Sequence, residues 1–217
     1  MKPTDPEEMR ALESAAVLFG DRFQLACRYR DLLASDGVDH GLIGPREVDR
    51  LWSRHIMNSA VIAERIAVGA IVTDVGSGAG LPGLPLAIAR PDLIVTLVEP
   101  LERRADFLGR FVESEGLPVT VVRGRAEEPA TVSAGGMADV VTSRAVASLE
   151  KLARWCTPLV RVGGKMMPIK GASAAAELAE HAKALAKAGL VDARVELCGT
   201  TLLDTPTTVV ELTRRRS

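Results

Sequence analysis

One stretch, Asp74-Val75-Gly76-Ser77-Gly78-Ala79-Gly80-Leu81-Pro82-Gly83, constrains this chain more than any other. The apolar run 70–73 before it reads as a buried strand, and residues 84–90 after it read as a short helix. A strand, a glycine-rich turn and a helix make a site for a nucleotide-like ligand. Glycine lets the backbone turn at positive φ and lets a ligand come close, and the helix start offers free N–H groups and a positive dipole end. Spacing separates the possible ligands. Dinucleotide dehydrogenases favour G-x-G-x-x-G, whereas here the glycines alternate at 76, 78 and 80, with an acid two places before the first. The phosphate-binding Lys-Ser/Thr pair of P-loops is absent, so the loop suits a ligand without phosphate.

The remainder of the chain supplies a frame for this loop. Residues 6–68 read as helical: Met9, Leu12, Ala15, Ala16 and Phe19 recur at helical spacing, and 23–33 continues similarly. Asp36-Gly37 and 41–45 are breaks. Pro45 opens a third helix, with Val48, Leu51, Trp52, His55 and Ile56 on one face, and that helix or its successor runs to about Val68 before Gly69. From residue 70 strands and helices alternate. Strands are expected at 70–75, 93–99, 119–122, 138–143, 164–169, 193–198 and 208–212, and helices at 84–89, 103–116, 147–159 and 173–188. Alternation predicts a parallel sheet covered on both faces. The last two strands are joined only by a loop, so they should pair antiparallel. The expected division is a helical extension, 1–68, and a ligand-binding domain, 69–217.

Open α/β sheets bind ligands at the carboxyl ends of their strands. The second strand ends in Glu99, which can accept hydrogen bonds from ribose hydroxyls. The third leads to 123–128, where an adenine ring would reach, and the fourth ends at Arg144. Loop, acid and strand ends together resemble the S-adenosylmethionine-dependent methyltransferases, in which Asp74 and the backbone of Gly76, Gly78 and Gly80 would meet the methionine end of the cofactor.

A closer resemblance rests on four segments in order: Arg54-His55-Ile56-Met57-Asn58-Ser59, the loop ending Leu81-Pro82-Gly83, Ser143-Arg144-Ala145, and Ile169-Lys170-Gly171. They are similar to the bacterial small-subunit ribosomal RNA guanine-N7 methyltransferase family, also called glucose-inhibited division protein B. The resemblance implies a Rossmann-like class I methyltransferase: an α/β fold with a seven-stranded, mostly parallel sheet, an antiparallel C-terminal hairpin and an N-terminal helical extension. It implies N7 methylation of one guanine in 16S rRNA, with the small ribosomal subunit or its assembly intermediate as partner. It places cofactor contacts at Gly76, Leu81, Ala126, Glu127 and Arg144, and substrate positioning falls to Arg144, Lys170 and His55. Pro168 departs from a regular central strand, because proline removes a ladder donor, and predicts that the fifth strand ends by Met167.

Composition narrows the rest. The chain has 217 residues, 47% hydrophobic, and a formal net charge of −1, which does not favour holding nucleic acid by bulk electrostatics. One Tyr, two Trp and four Phe make no broad stacking platform. Weak binding to naked RNA and recognition of a structured particle by shape are therefore expected. Cys27, Cys156 and Cys198 lack metal or redox spacing and read as idle thiols, and no metal is expected. No signal-peptide or membrane-spanning run is evident, so a cytoplasmic monomer is expected. A small-molecule methyltransferase on the same fold and a non-catalytic ribosome assembly factor remain alternatives.

Overall fold

The structure, a computed structural model, describes residues 5–216. One seven-stranded sheet has the order β3-β2-β1-β4-β5-β7-β6. Its strands are β1 (Ile71–Val75), β2 (Ile94–Glu99), β3 (Val119–Arg123), β4 (Ala138–Arg144), β5 (Val160–Lys170), β6 (Leu190–Cys198) and β7 (Thr207–Arg214). β1 lies between β2 and β4 and pairs parallel with both. The chain therefore reverses its direction of travel across the sheet at β1, the topological switch where open α/β sheets leave a crevice. β7 inserts between β5 and β6 and runs antiparallel to each, as its short connection to β6 requires.

The helices are α1 (Pro6–Phe19), α2 (Phe23–Ala34), α3 (Asp36–Asp39), α4 (Asn58–Ala60), α5 (Gly83–Ala89), α6 (Glu102–Ser114), α7 (Pro129–Gly135), α8 (Leu149–Cys156) and α9 (Ala174–Lys187). One face of the sheet is covered by α5, α6 and the N-terminal helices, whose Ala15, Tyr29, Leu33 and Ile56 join Leu84, Leu97 and Phe107 in one core. The other face packs Val141 and Leu212 against Leu152 of α8 and Leu185 of α9. The N-terminal helices thus bury their apolar face in the same core as the sheet.

Several expectations are corrected. Asp36-Gly37 does not break the chain but starts the single turn α3, whose amides close on Ser35 and Asp36 carbonyls. The helix opened by Pro45 changes pitch: 3-10 over Pro45–Arg50, π over Leu51–Met57, then α4, then 3-10 over Val61–Arg65. It stops at Arg65 rather than Val68, because Ile66 is extended. α7 was not expected; its sequence Pro-Ala-Thr-Val-Ser-Ala-Gly carries no apolar period. The eighth helix is shorter than 147–159, with Ser148 before its first turn. β5 does not end at Met167. It continues through Pro168, which pairs with Ser143, to Lys170. The missing N–H falls on the β7 side, where pairing pauses between Met166↔Leu212 and Ile169↔Val209.

The π segment is held from outside. Glu8, buried on α1, accepts the N–H groups of Trp52 (2.6 Å) and Ser53 (2.8 Å), which the start of a helical turn leaves without partners. Glu8→Ala strands both amides, so urea denaturation should show a loss of about 2–4 kcal/mol. A loss below about 0.5 kcal/mol would show that the segment does not depend on this cap.

Candidate active site

The carboxyl ends of β1 to β4 surround a cleft of about 830 Å³. Its floor is the glycine loop. Gly76, Gly78 and Gly80 have φ of 70°, 57° and 101°, conformations that side chains rarely adopt. A Cβ on Gly76 would stand 2.7 Å from Val146, so the slot between the loop and the end of β4 is as narrow as a glycine allows. Gly83 opens α5 and donates its N–H to Asp74 Oδ2 at 3.0 Å. A Cβ there would collide with Leu97 and lie 2.9 Å from Asp74 Oδ2. The Leu81-Pro82-Gly83 ending thus has a physical reason: only glycine lets this helix begin against the end of β1.

Two carboxylates flank the loop. Asp74 is fully buried, and its Oδ1 has no hydrogen-bond partner among the described residues. Burial pushes its carboxyl up to about 7, against the opposing effect of the Gly83 and Ser77 hydrogen bonds. Glu99 lies at the wall of the cleft, its Oε2 accepting from Gly78 N (2.9 Å) and its Oε1 from Leu101 N (3.0 Å). These bonds fix the carboxylate and leave lone pairs for two further donors. An orphaned acid behind a glycine loop that permits close backbone approach, and a second fixed acid beside it, fit a ligand that carries an ammonium and a ribose.

The expected site residues divide by position. Gly76, Gly78, Leu81, Glu99, Arg144 and His55 line the cleft. Asp74, behind the loop, and Gly80, within it, do not line the cleft. Ala126 is buried in the core of the opposite face, and Glu127 is exposed outside the lining, while their neighbours Gly124, Arg125 and Glu128 face the cleft. Lys170 lies outside this cleft. It lines an adjoining pocket of about 280 Å³, with Asn58 and Ser143, that shares Arg144, Ala145 and Val146 with the cleft.

Arg144 is engaged by the helical segment. Its guanidinium donates to the carbonyls of Arg54 (2.6 Å) and His55 (3.1 Å), to Ser59 Oγ (3.1 Å) and to His55 Nδ1 (3.3 Å). Arginine only donates, so Nδ1 accepts and the His55 proton sits on Nε2, which donates to Glu47 Oε2 at 3.0 Å. Burial and then the Arg144 charge hold His55 below the ordinary histidine range. His55 is therefore a neutral link between Glu47 and Arg144. Lys170 spends two of its three N–H groups, on Ala147 O (2.8 Å) and Glu177 Oε1 (2.9 Å). One contact had no sequence signal: Tyr29 of α2, fully buried, donates its hydroxyl to Ala79 O of the glycine loop at 2.9 Å. A lone tyrosine on an apolar helix face reads as core. Among the described residues no cluster of three or more His, Cys, Asp or Glu side chains could hold a metal, and no helix is long and apolar enough to cross a membrane.

Comparison with known proteins agrees with this geometry. The sequence profile of the family described as "rRNA small subunit methyltransferase G" matches residues 22–205. The "Ribosomal RNA small subunit methyltransferase G" of Rhodococcus jostii is 57% identical over 210 residues, covering 97% of this chain and 92% of the relative. That of Salinispora arenicola is 56% identical, covering 98% and 89%. Among solved structures, the mitomycin 7-O-methyltransferase MmcR superposes with a TM-score of 0.59 at 20% identity, over 97% of this chain and 69% of the other. A precorrin-6y C5,15-methyltransferase from Geobacter metallireducens gives 0.54 at 15% identity, over 80% and 90%. The structures at this identity show the Rossmann-like methyltransferase fold.

The raised Asp74 pKa has a consequence for stability. Folded protein keeps a proton on this carboxyl that the unfolded chain releases at ordinary carboxylate pH. Its contribution is most favourable at about pH 4 and is lost as pH rises through about 7. Asp74→Asn has no such slope. Denaturation of the ligand-free protein should find it as stable as the parent near pH 4 and more stable, by roughly 2–4 kcal/mol, near pH 8. A variant less stable than the parent at pH 8 would contradict this.

Proposed function

The chain belongs to the rRNA small subunit methyltransferase G family, and on that footing we propose that it transfers the methyl group of S-adenosylmethionine to N7 of one guanine in 16S rRNA, within the small ribosomal subunit or an assembly intermediate of it. The observation that carries this reading is the pair of adjoining compartments that share a wall. A cleft that fits an ammonium and a ribose adjoins, across Arg144, Ala145 and Val146, a pocket for the methyl acceptor.

The residues that hold the cofactor in this reading are those of the glycine loop and its two acids. The glycine loop gives the methionine end a close backbone approach, Asp74 balances the ammonium, and Glu99 accepts from the ribose hydroxyls. Gly124 and Arg125, with Ala126 and Glu127 behind them, form the end that meets adenine. S-adenosylmethionine supplies an electrophilic sulfonium methyl. Guanine N7 carries an in-plane lone pair and no hydrogen, so no side chain has to remove a proton. The work left to the protein is alignment of nitrogen with methyl and sulfur, an orientation effect.

Arg144 has the part of a positioning residue in this mechanism. It fastens the end of β4, which forms the wall shared by the two compartments, to the carbonyls of Arg54 and His55. His55 holds Arg144 in turn and lies on the cleft wall, where RNA would enter. Residues 1–68 then serve as the cover of the site and 69–217 as the part that binds the cofactor. The protein is read as a cytoplasmic monomer. Its net charge of −1 supports recognition of a folded particle over naked RNA.

Tritium from methyl-labelled cofactor should enter the 16S rRNA of small subunits isolated from cells lacking this protein, and not enter a protein-free short RNA at comparable rate. Label in the small-molecule fraction would support the small-molecule alternative, and cofactor binding without transfer to subunits would support an assembly factor. Arg144→Ala should lower transfer to subunits at least about tenfold, because the shared wall loses its anchor. Unchanged transfer would remove Arg144 from the mechanism.

A further inference from the structure

The smaller pocket contains a polar group that neither the fold nor the cofactor site uses. Asn58 and Thr207, 149 positions apart, form a reciprocal pair. The hydroxyl of Thr207 donates to the main-chain carbonyl of Asn58 at 2.8 Å. With its hydrogen spent there, Oγ1 accepts from the Asn58 side chain, whose Nδ2 lies 2.7 Å away. Thr207 is buried, so no water competes for its hydroxyl. These two bonds decide which way the amide points. Nδ2 faces Thr207, and Oδ1 faces the other way, with no hydrogen-bond partner among the described residues. Asn58 lines the pocket shared with Arg144, Ala145 and Val146.

Lys170 lines the same pocket. Two of its three N–H groups are bound to Ala147 O and Glu177 Oε1, which leaves one donor. The pocket therefore offers a fixed acceptor, Asn58 Oδ1, and a cationic donor, Lys170 Nζ, to one ligand.

We propose that Asn58 and Lys170 read the Watson–Crick edge of the target base, with Thr207 locking the Asn58 amide so that the pocket accepts guanine and rejects adenine. Guanine presents a donor at N1–H and an acceptor at O6, the complement of the two side chains. Adenine presents the reverse, an acceptor at N1 and a donor at N6, so both contacts turn repulsive. An unlocked asparagine could flip its amide and serve either base. The reciprocal bond to Thr207 removes that freedom, and a group built to hydrogen-bond one partner discriminates strongly against its opposite. N7 lies on the adjacent edge, next to O6, and a donor that reaches O6 from the N1 side leaves N7 free to face the cofactor cleft. The inference rests on the reading of this site as a guanine methyltransferase and adds the residues that choose the base.

Asn58→Ala should lower kcat/KM for small subunits roughly ten- to a hundredfold, with the cofactor Kd by calorimetry and the Tm close to the parent's. Thr207→Val frees the amide; the ratio of transfer to guanine over adenine, measured on subunits reconstituted with either base at the target, should fall at least about tenfold. Thr207→Ser keeps the hydroxyl and should restore that ratio. A purely structural pair would move Tm and leave the base ratio untouched. Parent-like kcat/KM in Asn58→Ala, or a parent-like base ratio in Thr207→Val, would overturn the inference while leaving the functional reading standing. Failure of the unaltered protein to methylate any subunit would instead overturn the functional reading.

Discussion

The hydrogen bond from Gly83 N to Asp74 Oδ2 sets the geometry on which the rest of the site depends. It ties the first turn of α5 to the end of β1, and the glycine loop has to close within the eight residues between. That closure brings Gly76 within touching distance of Val146 and sets the loop along the cleft. It also keeps a carboxyl in the core with one oxygen unpartnered. A buried group of this kind lowers stability wherever it must ionise, so its presence is a functional arrangement maintained against the fold's own preference. A ligand ammonium near the loop is the natural counter-charge.

The N-terminal helices belong to this arrangement. Glu8 shapes the π segment through Trp52 and Ser53. That segment presents the carbonyls of Arg54 and His55 to Arg144, and Arg144 holds the end of β4. Tyr29 reaches the glycine loop itself at Ala79. A chain of polar contacts therefore runs from α1 to the wall between cofactor cleft and acceptor pocket. Asn58, which lines the pocket beside Lys170, opens α4 directly after the π segment.

The sheet and the glycine loop were legible in the sequence because their signals are local. Strand periodicity, the alternating glycines and the short link between the last two strands each depend on neighbours a few residues away. Pro168 misled because its missing N–H was charged to the whole strand. The cost falls only on the β7 side, and the parallel ladder to β4 carries β5 on to Lys170. The π stretch at 51–57 could not be read locally, since Glu8 and Arg144 hold it from other elements. The same holds for Tyr29–Ala79 and Asn58–Thr207: each is a pair distant in sequence, and neither partner stands out alone. Arg144 and His55 were found by motif, but their bond to each other, and with it the neutral state of His55, needed the fold.

The central claim, methylation of guanine N7, is tested most directly by the chemical identity of the product. Mass mapping of 16S rRNA from cells lacking this protein and from cells in which it is restored should differ by one methyl on one guanine. That guanine should carry the cationic base expected of N7 methylation, recognisable by strand scission after borohydride and aniline treatment. A methyl on a ribose, an exocyclic amine or another base, or no difference between the two RNAs, would contradict the account.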